Sequence, residues 1–281
     1  MCGVRLCSYI RFDLTYGLFK RGMWTRYILW FALFALFSLE FSGRLASLEL
    51  SQYTYGDYLL YIFGGMREYV PAPGEPFQIP YLWLINHIGV LYFTLHYMHD
   101  DLEGVGQQMI VRSGNRAAWW LSKCVWNTAV VLLLYAIAWG ATFLLAETNH
   151  AIRSFEISPF MAEIMVVGPY QLPKSDWSIT GEITFLPLLV TLAVSQLQML
   201  LCLMIRPIFS YVVSVVAFIA SAYYLSPFFL GNYAMALRSS KIVSNGVSRI
   251  TGIGICFLLI LTGIVLGSVV FAKYDILSKE D

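Results

Sequence analysis

The sequence predicts an all-α polytopic membrane protein, and three observations carry that reading. Of the 281 residues, 58% are hydrophobic and only 12% charged. An ordinary soluble domain carries about 25% charge. The mean hydropathy is +0.67. The apolar residues fall in continuous runs of about 20, the length a helix needs to cross a hydrocarbon core of about 30 Å, and do not alternate as barrel strands would. Disorder is excluded, because it needs low hydrophobicity and high charge. A net charge of +1 with no long basic tract points away from nucleic acid.

At the N-terminal end, residues 4–22 mix apolar Val4, Leu6, Tyr9, Ile10, Phe12, Leu14 and Leu18 with Arg5, Arg11, Asp13 and Lys20. That mixture predicts an amphipathic interfacial helix with its basic side near anionic headgroups. Six transmembrane helices follow, near 24–41, 81–98, 125–146, 183–205, 208–226 and 250–271, within a single transmembrane domain covering 1–281. The long mixed segment before the first span, and the lack of an A-x-A site after it, mark an uncleaved span rather than a signal peptide.

The connections are uneven. Residues 42–79 form an outer loop that contains the aromatic YTYGDYLLYIFGGMREYV, which predicts a short interfacial helix, and then the irregular PAPGEPFQIP. Residues 99–124 and 147–182 form two further long loops. Only Arg206 and Pro207 separate the fourth and fifth spans, so those helices are expected to be antiparallel neighbours. PFFLGNYAMAL, at 227–237, is too short to span and too apolar to float, which predicts a re-entrant segment before span six, shielded by protein. No internal repeat is visible, which speaks against an inverted-repeat transporter.

With both termini inside, 11 of the 18 lysines and arginines fall on the cytoplasmic side and 7 outside, so positive-inside bias places both termini in the cytoplasm. Trp24, Trp83, Trp119, Trp120, Trp126 and Trp177 lie near span ends, where an indole finds both apolar contact and a partner for its N–H.

Candidates for chemistry are few. His96, His99, Asp100 and Glu103 share a helical face, with Asp101 beside them. Imidazole and carboxylate at that spacing can bind a divalent metal, but a helix leaving a membrane acquires polar residues too, and the metal set is taken as none. The motifs H-E-x-x-H and G-x-S-x-G do not occur, so no catalytic residue is assigned. None of the six lysines follows a glycine, which removes a phosphate-binding loop. Glu40 and Arg44 stand at i, i+4 as a span-end pair. Gly263 and Gly267 in the sixth span form a small-x-x-x-small contact for helix packing. The five scattered cysteines suggest neither a disulfide framework nor a zinc site.

The stretch GQQMIVRSGNRAAWWLSK resembles the region between the second and third spans of permease subunits of type-2 ATP-binding cassette (ABC) exporters. Gly106, Arg112, Ser113, Gly114, Arg116, Trp119, Trp120, Ser122 and Lys123 carry the resemblance. The layout is similar too: a basic amphipathic N-terminal helix, six spans, internal termini, a tight link between spans four and five, and an apolar re-entrant loop. The two long outer loops depart from compact members of that family.

The resemblance implies a permease subunit in a bacterial plasma membrane, moving an amphipathic or apolar cargo (peptide, lipid or drug, as in multidrug or antimicrobial-peptide export) out of the cell. It implies two copies of an ABC ATPase subunit that bind ATP and Mg, a second permease subunit in a homo- or heterodimer, and surrounding lipid. The chain itself would be no enzyme and hold no cofactor. A short cytoplasmic coupling helix between spans two and three, near 101–111, would dock on the ATPase. Its coupling loop would comprise Asp100, Asp101, Glu103, Gln107, Gln108, Arg112 and Arg116, with Trp119, Trp120 and Lys123 as interface anchors. Two other classes stand beside this one: a non-transporting membrane scaffold or sensor, and a metal-dependent membrane enzyme built on the His96 cluster.

The orientation is testable. Cysteines introduced at Ser51 and Ser175 should react with an impermeant thiol reagent in intact cells, and one at Ser278 should not. The reverse pattern contradicts the assignment.

Overall fold

Apolar runs and sharp local stop signals set the elements. The computed structural model describes residues 2–19, 21–47, 53–74, 76–165, 177–243 and 245–274. In chain order the helices are α1 (Cys2–Phe12), α2 (Arg21–Ser47), α3 (Tyr55–Phe63), α4 (Tyr81–Leu95), α5 (Tyr97–Leu102), α6 (Val105–Ser113), α7 (Arg116–Thr148), α8 (Pro159–Met165), α9 (Trp177–Leu201), α10 (Pro207–Tyr223) and α11 (Arg249–Lys273). A π-helical turn, Asp13–Gly17, continues α1, and 3-10 turns occupy Leu230–Ala234 and Ala236–Arg238.

The R-S-G-N-R sequence shows how a boundary is written. Gly114 has φ +65°, a left-handed conformation that suits glycine, and its N–H caps Ile110 O at the end of α6. Asn115 then caps α7, its side chain accepting from Ala118 N at 3.0 Å. One residue stops a helix and the next starts another. At the other tight link, Pro207 opens α10, where its missing N–H costs nothing.

Among the described residues, α2, α7, α9 and α11 are long and apolar enough to cross a membrane, which marks the chain as a membrane protein. The expected second and fifth spans come out shorter. A helix of 15 residues, α4, extends about 22 Å. Its helix breaks at His96 before α5 resumes, although the sequence suggested continuity to residue 98. The 17 residues of α10 extend about 25 Å. It nonetheless exposes Ile208, Phe209, Val212, Val213 and Val216, a surface that suits lipid rather than water.

Two long helices organise the rest. α7 packs on α1, α2, α9 and α11, while α9 packs on α4, α7, α10 and α11. The expected interfacial helix 55–63 is instead a buried wedge: Tyr58, Leu59, Leu60, Ile62 and Phe63 are almost wholly enclosed against α2, α4, α7 and α9. Its start is fixed by a capping box. Asp57 N donates to Thr54 Oγ1 at 3.2 Å, and Thr54 N donates to Asp57 Oδ2 at 2.9 Å. Asp57 Oδ1 also accepts from Ser158 N, stitching the two long connections together.

The segment 230–238 is buried among α4, α9, α10 and α11, so its irregular backbone is shielded by protein. Arg238, fully enclosed, donates to six acceptors at 2.5–3.4 Å: Met66 O, Arg67 O, Ser221 O, Ala222 O, Tyr224 O and Asn232 Oδ1. Three of these are carbonyls at the C-terminal end of α10, where a cation is favoured.

Gly267 provides a test of packing. A Cβ there would collide with the buried Trp120 ring, whereas one at Gly254 meets nothing. Both alanine changes gain about 1 kcal/mol of helix propensity, but overpacking costs about 1–3 kcal/mol. Gly267→Ala is expected to lower the thermal midpoint in detergent, and Gly254→Ala to hold or raise it.

Candidate functional site: a buried lysine between two carboxylates

Lys123 lies in α7, one turn beyond the Trp119–Trp120 pair. Its residue is 1% exposed, and a lone ammonium cannot be buried without strong compensation. Two carboxylates supply it. Lys123 Nζ lies 2.5 Å from Asp13 Oδ1 and 2.7 Å from Asp101 Oδ2. Tyr97 Oη donates to Asp13 Oδ1 at 2.8 Å, and Trp119 Nε1 to Asp101 Oδ2 at 3.0 Å. The ammonium also sits 4.9 Å from the Tyr97 ring centroid and 4.8 Å from that of Trp119.

Each partner comes from a different element. Tyr9, Asp13 and Gly17 are spaced by four and form the buried side of α1 and its π turn, which packs on α7. Tyr9 Oη bonds Met109 O at 3.1 Å and also meets Ser113 Oγ, so the same helix holds α6. Asp101 comes from α5, and the space for its carboxylate exists because residue 106 is glycine; a Cβ there would overlap it. The network thus clamps α1, α5, α6 and α7 at one end of the bundle, termed here the α1 end. Two carboxylates face one ammonium, and Asp13 Oδ2 is buried without a hydrogen-bond partner.

These contacts revise the expected roles of several residues. Asp101 was expected on a docking face but is committed to Lys123. Lys123, Trp119 and Trp120 were expected at the lipid headgroups but lie inside. Trp119 stacks on Phe271 at 4.5 Å, and Trp120 Nε1 donates to Ile264 O at 3.0 Å. Gly267 takes the Trp120 ring, while a Cβ added at Gly263 would stand 3.4 Å from the Gln196 backbone of α9. Arg116 donates to Ala272 O and Tyr274 O at the end of α11. Asp100, Glu103, Gln108 and Arg112 are exposed, and Gln107 is half-buried. The amphipathic segment expected on the membrane surface is held against α7 on one side. His99 pairs with Glu103 at 3.4 Å, and among the described residues no group of three His, Cys, Asp or Glu stands together.

A second polar layer, missed in the sequence, lies within the bundle. His87 Nδ1 meets Thr191 Oγ1 at 2.6 Å, Thr191 Oγ1 meets Tyr135 Oη at 2.7 Å, and Asn86 Nδ2 donates to Tyr135 Oη at 2.8 Å. Thr191 also donates to Pro187 O, next to the place where proline removes a helix hydrogen bond in α9. The only advance signal was isolated polar residues inside apolar runs.

The charge count yields a prediction. Lys123→Met leaves two buried carboxylates facing each other and should cost about 3–5 kcal/mol. Asp13→Asn leaves a neutral pair and should cost less than half as much. Thermal unfolding in detergent checks the order; equal losses contradict it.

Residues 32–277 match a family model whose description is a protein of unknown function, DUF2705. No curated protein matches the chain. Asp101 and Lys123 lie inside the matched region and Asp13 precedes it. With the match running from within α2 past the end of α11, the chain belongs to the DUF2705 family.

Proposed function

We propose that this chain is a membrane permease subunit of the type-2 ABC exporter kind, driven by ATP hydrolysed on a separate chain. In this reading α4 and α10 join the four longer helices as spans, making six. The 230–238 segment re-enters from the outer side. The α1 end faces the cytoplasm of a bacterial cell, with both termini on that side. Two ATPase subunits carrying ATP and Mg bind below a pair of permease subunits, and an amphipathic or apolar cargo passes outward.

The single observation that carries the reading is the α5–α6 elbow. Its inner side is fastened to α1 and α7 through Asp101, Lys123 and Tyr9. Its outer side exposes Asp100, Glu103, Val105, Gln108, Val111 and Arg112. An element held rigidly within and bare without is suited to receive a push from a partner and pass it to the long helices. A chain without a phosphate-binding lysine needs such a partner if ATP is its energy source.

The test uses exposed residues alone, because replacing Asp101 would unseat Lys123. Glu103→Arg with Gln108→Arg should weaken co-purification with the partner ATPase, or its stimulation, by about tenfold. His96→Ala with His99→Ala should leave both nearly intact. Purified alone, the chain should hydrolyse no ATP. Loss of function from the histidine pair with a silent Glu103/Gln108 pair would replace the coupling reading with the metal-dependent one.

A further inference from the structure

Beside the lysine network, α1, its π turn, the start of α2 and the α4–α5 break enclose a cavity of about 310 Å³. That volume lies within the range of small-molecule sites, about 300–1,000 Å³. Its wall is aromatic and acidic. Phe12 and Tyr16 stack with centroids 5.3 Å apart, and Tyr97 and Trp126 stack at 3.8 Å. Asp100 and Asp101 line it as well.

Three features narrow what such a wall would take. The first is charge. Behind the wall stand Asp13 and Lys123, and Arg26 also lines it. Among the described residues three carboxylates therefore face two cations, with the His96 ring also on the wall, which leaves one negative charge uncompensated in that set. Arg26 is exposed and lies on Met23 Sδ at 3.8 Å, so water screens its charge more than that of the buried acids. Second, Asp100 is exposed and pairs with no cation among the described residues. Third, polar capacity is left open at the site. Asp13 Oδ2, behind the wall, is buried without a hydrogen-bond partner, which leaves acceptor capacity beside the cavity. The wall already shows its preference, since the Tyr97 ring holds the Lys123 ammonium against its face.

We infer that this cavity binds one organic monocation with an apolar body, its charge set against Asp100 and Asp101 and its body against the stacked rings. A neutral compound of the same shape leaves the excess charge unanswered, and an anion adds to it. A bare metal ion gains little, because the wall is mostly ring carbon and no group of three ligating side chains stands together among the described residues. Binding belongs to this chain alone and holds whether or not an ATPase partner drives transport.

The experiment is saturation binding of tritiated tetraphenylphosphonium to the purified chain in detergent, with empty micelles subtracted. Neutral triphenylphosphine oxide serves as competitor. One site per chain is expected, with little displacement by the oxide. Asp100→Asn should weaken binding about fivefold or more, and Tyr16→Leu about threefold, while Tyr16→Phe, which keeps the ring, should bind nearly as the parent. Tyr16 is 61% exposed and Asp100 is exposed, so unchanged thermal midpoints are expected and confirm folding. Equal displacement by the neutral oxide, or parental affinity in both Asp100→Asn and Tyr16→Leu, overturns the inference. Because no ATPase is present, failure here leaves the coupling reading untouched, and failure of co-purification leaves this one untouched.

Discussion

A buried ammonium organises the α1 end of this protein. In a low-dielectric setting Lys123 cannot stay charged without carboxylates in direct contact, and those carboxylates arrive from α5 and from the π turn that follows α1. Satisfying one charge therefore fixes the position of three elements. The π turn is the means: it buries Asp13 and Gly17 on the side that Tyr9 already occupies. Irregular helical turns of this kind concentrate at functional sites.

The opposite end solves the same problem with a different chemistry. Arg238 is buried among backbone carbonyls, closing the end of α10 and holding the 3-10 turns in place. Between the two ends, the hydrogen-bonded chain of Asn86, Tyr135, Thr191 and His87 links α4, α7 and α9. Polar groups within a membrane-embedded bundle need internal partners because lipid offers none. Each of the three layers thereby specifies which helices are neighbours, a choice that apolar contact alone leaves loose.

Much of the architecture was legible. Continuous apolar runs marked the helices, while the stop at Gly114 and the start at Asn115 came from the structure. The expected Glu40–Arg44 pair is present at 2.7 Å, joined by the hydroxyls of Tyr61 and Tyr81. What was not legible follows from ambiguity in composition. Tryptophan near a span end reads as a headgroup anchor, yet the same indole fills a core when a glycine such as Gly267 makes room. Lys123 in W-W-L-S-K reads as positive-inside charge, because its partners lie 110 and 22 residues away in sequence. A nine-residue aromatic helix fits an interface or a wedge equally well, and the Thr54–Asp57 capping box that fixes its start was not read in advance. The helix break at His96 carries no proline or glycine to betray it.

The account turns on the elbow being fastened from within. Hydrogen–deuterium exchange comparing the parent with Lys123→Met in the same detergent tests that fastening directly. The account predicts faster exchange in α5, α6 and the 13–17 turn, with amides around Arg238 unchanged. Unchanged protection of α5 and α6 in the variant would show that the elbow is held by other contacts, and would contradict the claim that the buried lysine couples it to the long helices.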